Sequence, residues 1–172
     1  MSASVAGLIR EVSRPVPNDA RQSAIHALGI LDTGPDERFD QIVAAARSRF
    51  NAAAASLSFM DVDRQWYKSA SGLDLTSLPR GSTFSEWTIQ GAAAFTVTDS
   101  MHDVRYKQMA VVREAHIRAY AGHPILDPTG VPVGALSVLF TEPRTFSAED
   151  LAYLRQLAAL VEALLRMGAD PS

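Results

Sequence analysis

Hydrophobic and polar positions divide the chain into segments of two different periods. Ala20, Ala24 or Ile25, and Leu28 recur at helical spacing; Asn18 or Asp19 can cap that segment and Gly29 stops it. After a turn over residues 33 to 35, Phe39, Ile42, Val43, Ala46 and Phe50 repeat near 3.6, which predicts a second helix. The period then falls to two. Leu57 and Phe59, with Asp61 in phase, alternate with polar positions; "DVDR" reads as a tight turn and "QWYKSAS" as the returning strand of a hairpin. "LDLTSLPRGST" reads as a loop, "SEWTIQGA" as a short helix, and "AFTVTD" as a short strand carrying Phe95 and Val97. Residues 99 to 116 are mixed, with at most one short helix, and a long irregular connection in a compact domain is usually functional or mobile.

The clearest pattern is "IRAYAGHPILDPTGVPVGALSVLF", two apolar runs around a Pro- and Gly-bearing turn, hence a hairpin of two buried strands. "FSAEDLAYLRQLAALVEALLRMG" closes the chain as a helix. Ser147 caps it, Asp150 completes an acidic variant of the capping box, and Gly168 ends it. Leu151, Leu154, Leu157 or Ala158, Val161, and Leu164 or Leu165 form its broad apolar stripe. Helices at the chain ends around antiparallel hairpins predict an α+β domain, with helices on one face of the sheet. The expected organisation is an arm over residues 1 to 17, broken by "RPVP", one domain over residues 18 to 168, and a tail over residues 169 to 172.

The length of 172 residues fits that single domain. A net charge of −3, with no run of like charges, is not the basic excess of a nucleic-acid binder. No stretch approaches the roughly 18 consecutive apolar residues of a membrane helix. The first residues lack the basic start and long apolar stretch of a signal peptide, so the expected location is the cytoplasm. The sequence contains no Cys, which removes disulfides, thiolate metal sites, thiol nucleophiles and thioether attachment of a chromophore.

Glycine-based nucleotide cradles and the G-x-S-x-G elbow are absent from the sequence. Ser85 is expected to cap a helix over residues 86 to 90, with Glu86 favoured in its first turn; the rival reading makes Ser85 a nucleophile. His26, His102, His116 and His123 show no metal-binding spacing. His123, in an apolar strand, is the best candidate for a buried ligand, against an ordinary hydrogen-bonded strand histidine. Asp61 and Asp63 flank one turn, and Asp99 and Asp103 bracket another, as turn-capping side chains do. Asp103, Arg105 and Tyr106 either lock their loop or bind a ligand, with locking favoured. Trp66, Tyr67, Trp87, Tyr106 and Tyr120 are candidates for lining a cavity, against ordinary core packing.

Taken together, "LGILDTGPDERFDQI", "DRQWYKSASGLDLTSLPRGSTFS", "TDSMHDVRY" and the stretch from "IRAYAGHPILDPTG" through the last helix resemble the GAF domain family. The closest resemblance is to the bacterial sensory members found beside diguanylate cyclases and histidine kinases. It runs from about Asn18 to Arg166. The resemblance implies a six-stranded antiparallel sheet, with the first and last helices on one face and pocket-forming loops on the other. It also implies a small-molecule ligand and homodimerisation through the terminal helices. Pocket candidates are Phe84, Ser85, Trp87, Asp103, Arg105, Tyr106, Tyr120 and His123.

Where many relatives carry Cys then His after the Phe, this chain has Ser85, Glu86 and Trp87. Covalent bilin attachment, and the thiol chemistry of relatives that reduce free methionine sulfoxide, are therefore excluded. The Asn-Lys and Phe-x-x-x-Asp-Glu pattern of cyclic-nucleotide members is not met: the acidic pair after Phe146 falls one residue early and reads as first-turn charge of the last helix. The expectation is a cytoplasmic, non-enzymatic sensor whose cofactor, if any, is unknown. The chain stops soon after the last helix, so its output partner is expected to be a separate protein unless the chain is an excised fragment. The rivals are a haem or metal sensor through His123 or His116, an enzyme using Ser85 or a His, and a dimerisation scaffold without a ligand.

Overall fold

The computed structural model describes residues 18 to 168; the expected arm and tail lie outside the described residues. In chain order the elements begin with α1 (Asn18–Leu28), α2 (Glu37–Phe50), β1 (Ala54–Met60), β2 (Arg64–Ser71), β3 (Ser77–Pro79) and α3 (Ser85–Thr88). They continue with β4 (Phe95–Val97), a 3₁₀ turn (Ser100–His102), α4 (Ala110–Arg113), β5 (Ala119–Leu126), β6 (Pro132–Phe140) and α5 (Ala148–Met167). The strands form one six-stranded sheet in the order β3-β2-β1-β6-β5-β4, and every neighbouring pair is antiparallel. This is the α+β architecture expected. No helix among the described residues is long and apolar enough to cross a membrane.

The central strands β1 and β6 are buried along their whole length. On one face Leu57, Phe59, Ala121, Ile125, Leu136 and Val138 pack beneath Ile25 of α1, Phe39, Val43 and Phe50 of α2, and Leu154 and Val161 of α5. The polar positions alternating with Leu57 and Phe59 are Ser56 and Ser58, and they too are buried, on the other face, under the loops. Asp61 departs from its expected place in the strand. It lies in the turn, where its carboxylate accepts from the Val62 N–H at 2.8 Å and from Arg64 Nε at 3.2 Å. Turn capping outcompetes the strand phase there.

Strand β2 carries a bulge: Leu57 faces Ser69 while Ser58 faces Tyr67, leaving Lys68 as the extra residue. Trp66, opposite Phe59, joins the core under the helices, and Gln65 and Tyr67 turn to the loop face. Lys68 Nζ donates to Thr33 Oγ1 at 2.8 Å and to the Gly34 carbonyl, tying the bulge to the turn before α2.

Helix ends follow their residues. Gly29 (φ 63°) follows α1. Asp36 caps α2 by accepting from the Arg38 N–H at 3.0 Å. Ser147 and Asp150 form a reciprocal capping box on α5, and Gly168 stands at its C-terminal cap.

Helix α3 differs from expectation. Phe84, not Ser85, stands at its N-cap, and Ser85 is its first residue. No side chain caps this helix; the Ser85 backbone N–H donates to Thr83 Oγ1 at 3.3 Å, and the Ser85 hydroxyl bonds elsewhere. Glu86 holds the segment in place: its carboxylate accepts from Arg80 Nη2 at 3.0 Å, from Arg80 Nε, and from the Gly81 N–H at 2.9 Å. Arg80 Nη1 also donates to the Asp61 carbonyl at 2.7 Å, so the clamp pins α3 to the β1–β2 turn. Burial pushes the Glu86 carboxyl up, but the hydrogen bonds from Arg80 and Gly81 outweigh it and hold the group below its ordinary value of 4.5.

One close approach requires glycine. A Cβ at Gly122 would overlap the Tyr120 hydroxyl and lie 2.9 Å from Thr88 Oγ1. Gly122→Ala is expected to cost about 1–3 kcal/mol in urea unfolding. Gly34→Ala, where a Cβ meets nothing within 4 Å, should stay within about 0.5 kcal/mol of wild type. Glu86→Gln should cost about 1–3 kcal/mol at neutral pH. Because the folded carboxyl titrates below 4.5, its contribution is complete above that pH and is lost as pH falls through the folded value. The wild-type advantage over Glu86→Gln should therefore narrow as pH falls below 4.5 in a pH series of unfolding curves; a constant gap would contradict the clamp.

Candidate functional site

The loop face encloses a cavity of about 250 Å³. Its floor comes from the sheet: Ser56 of β1, Tyr67 of β2, Tyr120 of β5, and Ser137 and Leu139 of β6. Leu73, Leu75 and Leu78 supply one wall, and Phe84 and Ser85 of α3 another. The remaining lining is Ser82, Thr83, Ala110, Val111, Glu114, Ala115 and Ile117. Ala110, Glu114 and Ala115 are exposed and mark the mouth, whereas Ser56, Ser85, Tyr120 and Ser137 are buried.

A chain of buried side-chain hydrogen bonds organises the floor. Thr83 Oγ1 donates to Gln65 Oε1, and Gln65 Nε2 donates to Ser58 Oγ at 2.9 Å and to Ser85 Oγ at 3.2 Å. Ser85 Oγ lies 3.4 Å from the Tyr120 hydroxyl, which also bonds Thr88 Oγ1 at 2.7 Å and Ser137 Oγ at 2.8 Å. Burial pushes the Tyr120 hydroxyl up, and its hydrogen bonds only partly offset this. Tyr67 is also pushed well up, first by burial and then by neighbouring Tyr120. Both phenols are therefore neutral at physiological pH. The partners of Ser85 are an amide and a neutral phenol, not a His–carboxylate pair that would activate a nucleophile.

The residues expected from the sequence separate into groups. Phe84, Ser85 and Tyr120 line the cavity, as does Tyr67. Trp66 does not, because it stands opposite Phe59 under the helices. Asp103, Arg105, Tyr106 and Trp87 are not lining residues either. Arg105 pairs with Asp103 at 2.7 Å and lies over the Tyr106 ring, 4.8 Å from its centroid. The Tyr106 ring in turn meets Phe84 at 5.2 Å, Trp87 at 5.1 Å and Phe95 at 6.2 Å, nearly edge-on in each case. This cluster packs the loop together behind the cavity wall, and Asp103, Arg105, Tyr106 and Trp87 do not line this cavity.

His123 also departs from expectation. Along β5 the loop face carries Tyr120, so His123 falls on the helix face with Ala119, Ala121 and Ile125. Its Nδ1 donates to the Pro124 carbonyl at 3.0 Å, and its ring borders a surface groove with Leu151, Ala152 and Arg155 of α5. His116 is exposed, in a left-handed conformation with φ 58°. Neither imidazole lines the cavity, which removes the geometry needed for haem ligation there. Among the described residues no group of three or more His, Asp or Glu could hold a metal ion.

Ser56, Ser137, the three leucines, Val111 and Ile117 line the cavity although no motif marks them, and Gln65 joins its floor network. The available signal was the polar alternation itself: in a strand buried on both faces, serines at every second position mark an enclosed polar floor.

The sequence pattern of the GAF domain family matches residues 34–165. A cyclic di-GMP phosphodiesterase of Pseudomonas aeruginosa is 40% identical over 153 residues, 87% of this chain and 26% of that protein, so the chain spans about a quarter of that relative's length. Among solved structures, the GAF domain of an Acinetobacter phosphoenolpyruvate-protein phosphotransferase is similar (TM-score 0.63, 15% identity, 87% of this chain and 92% of that one). The free methionine-R-sulfoxide reductase of Neisseria meningitidis is similar too (TM-score 0.62, 17% identity, 83% and 86%). At these identities the two structures bear on the fold alone. With the six-stranded sheet, the helices on one face and a cavity under the loops on the other, this chain belongs to the GAF domain family, a sensory and ligand-binding kind of domain.

Proposed function

We propose that the domain is a non-enzymatic sensor that binds a small molecule in the cavity beneath the loops and passes its occupancy to α1 and α5. The observation that carries this reading is the position of β5. Tyr120 on one of its faces belongs to the cavity floor, while Ala121 and Ile125 on the other belong to the core that α5 covers. At its end, the Leu126 N–H donates to Glu162 of α5 at 3.0 Å. A ligand that moves Tyr120 therefore acts on a strand to which α5 is bonded. Occupancy would shift the populations of helix arrangements, without a new covalent step.

The same reading makes the protein a homodimer through its terminal helices. Leu160 and Met167 of α5 are 53% and 72% exposed, large apolar side chains on the outward part of the helix. The similarity to part of a phosphodiesterase supports a regulatory module acting on a separate output activity. A cytoplasmic setting belongs to the proposal, in keeping with a sequence free of cysteine.

Native mass spectrometry of freshly purified protein tests stoichiometry and occupancy together. The expected result is a dimer carrying a retained small molecule in part of the population. Leu160→Glu should yield a monomer by light scattering with an unchanged circular dichroism spectrum. A wild-type protein that stays monomeric at high concentration would refute the dimer.

A further inference from the structure

We infer that the cavity selects an uncharged, mainly apolar compound of about ten non-hydrogen atoms with a single hydrogen-bonding group, met by the Ser56 hydroxyl. The inference rests on the reading that this cavity is the ligand site.

Three observations carry it. The first is charge. None of the lining residues is Lys, Arg or His, and the only carboxylate among them is Glu114, exposed at the mouth. The tyrosines on the floor are neutral, for the reasons given above. An anion placed there would be stripped of water with no cation to meet it, and an unpaired buried charge is strongly disfavoured. A phosphate-bearing nucleotide or a free carboxylic acid is therefore a poor occupant.

The second is size. An apolar cavity of about 150 Å³ takes benzene, with its six carbons. The volume of about 250 Å³ here scales to about ten non-hydrogen atoms at the same filling. That is one ring with a short side chain, or a medium-length branched chain. A cyclic purine nucleotide, with base, sugar and phosphate, exceeds it.

The third is the distribution of polar groups on the floor. Ser85, Tyr120, Ser137, Thr83 and Gln65 are committed to one another. Ser56 is 3% exposed and lines the cavity, between Ala70 of β2 and Ser137 of β6. Its hydroxyl takes part in none of the side-chain hydrogen bonds that knit the floor together. A hydroxyl lining a mainly apolar cavity is an open hydrogen-bonding position, and a ligand hydroxyl, carbonyl or ring N–H would use it. The leucine wall, with Val111, Ile117 and Leu139, would then cover the rest of the molecule without further polar contacts.

The test uses 2-phenylethanol as the neutral probe, phenylacetate as its anionic counterpart of similar size, and cyclic GMP as a phosphate probe. Affinities are measured by NMR titration of the full chain. Intermolecular NOEs to the Tyr67 and Tyr120 rings place the bound probe whatever a variant does to stability. The expected result is binding of 2-phenylethanol with those NOEs, at least tenfold weaker binding of phenylacetate and cyclic GMP, and a three- to tenfold loss in Ser56→Ala, about the value of one hydrogen bond. If phenylacetate or cyclic GMP binds as tightly and shows the same NOEs, the uncharged class is overturned while the cavity stands as a ligand site. Unchanged affinity in Ser56→Ala overturns the assignment of the polar contact. If no probe gives NOEs to the two tyrosines at millimolar concentration, the inference and the sensory reading of the cavity fall together.

Discussion

The structure depends on burying a sheet on both faces. Once β1 and β6 have helices on one side and loops on the other, most polar groups on the loop side must find their partners inside the protein. The relay from Thr83 through Gln65 and Ser85 to Tyr120 and Ser137 answers that demand. It links β2, α3, β5 and β6, so the polar groups that are costly to bury also tie the roof to the floor. Gly122 is part of the same solution, since only the missing Cβ lets the Tyr120 hydroxyl reach Thr88. In a low-dielectric interior such a network is rigid when fully satisfied and weak when broken at one member.

The roof is held by different means on its two sides. Arg80 and Glu86 fasten α3 through charge-assisted hydrogen bonds, which are directional and strong for their number. The loop after β4 is held by ring contacts around Tyr106 and by Asp99, which caps the 3₁₀ turn and receives two donors from Arg118. Of these residues only Phe84, which meets Tyr106, also lines the cavity. The rest of the lining is aliphatic side chains, tyrosines and hydroxyl groups, with Glu114 at the mouth, and the paired charges act as outer fastenings. This division explains how a loop rich in Asp and Arg can surround a neutral site.

Much of the fold was legible because it follows from local chemistry. The capping box at Ser147 and Asp150, the stop at Gly29, the "DPTG" hairpin and the 3.6 period from Phe39 to Phe50 each have a cause within a few residues. The site was legible only in part, because it depends on which face a residue occupies. Face is normally read from apolar–polar alternation, but β5 and β6 are apolar at nearly every position. Nothing local announces that His123 points toward α5 while Tyr120 points toward the loops. The bulge at Lys68 compounds this, since beyond it Ser69, opposite Leu57, shares the helix face with Trp66 rather than the loop face with Tyr67. Ser85 illustrates a third limit. Serine beside a helix start usually caps it, but here Thr83 takes the backbone N–H and the relay takes the serine.

The bond between Glu162 and the end of β5 has a consequence that concerns reciprocity. Coupling between two sites through a shared element is symmetric in free energy. If a molecule resting on Tyr120 favours one setting of α5, then anything that grips α5 in that setting raises the affinity at Tyr120 by the same factor. The affinity of such a pocket belongs to the assembly rather than to the isolated domain, and one sequence can respond at different concentrations of the same compound according to what holds its last helix.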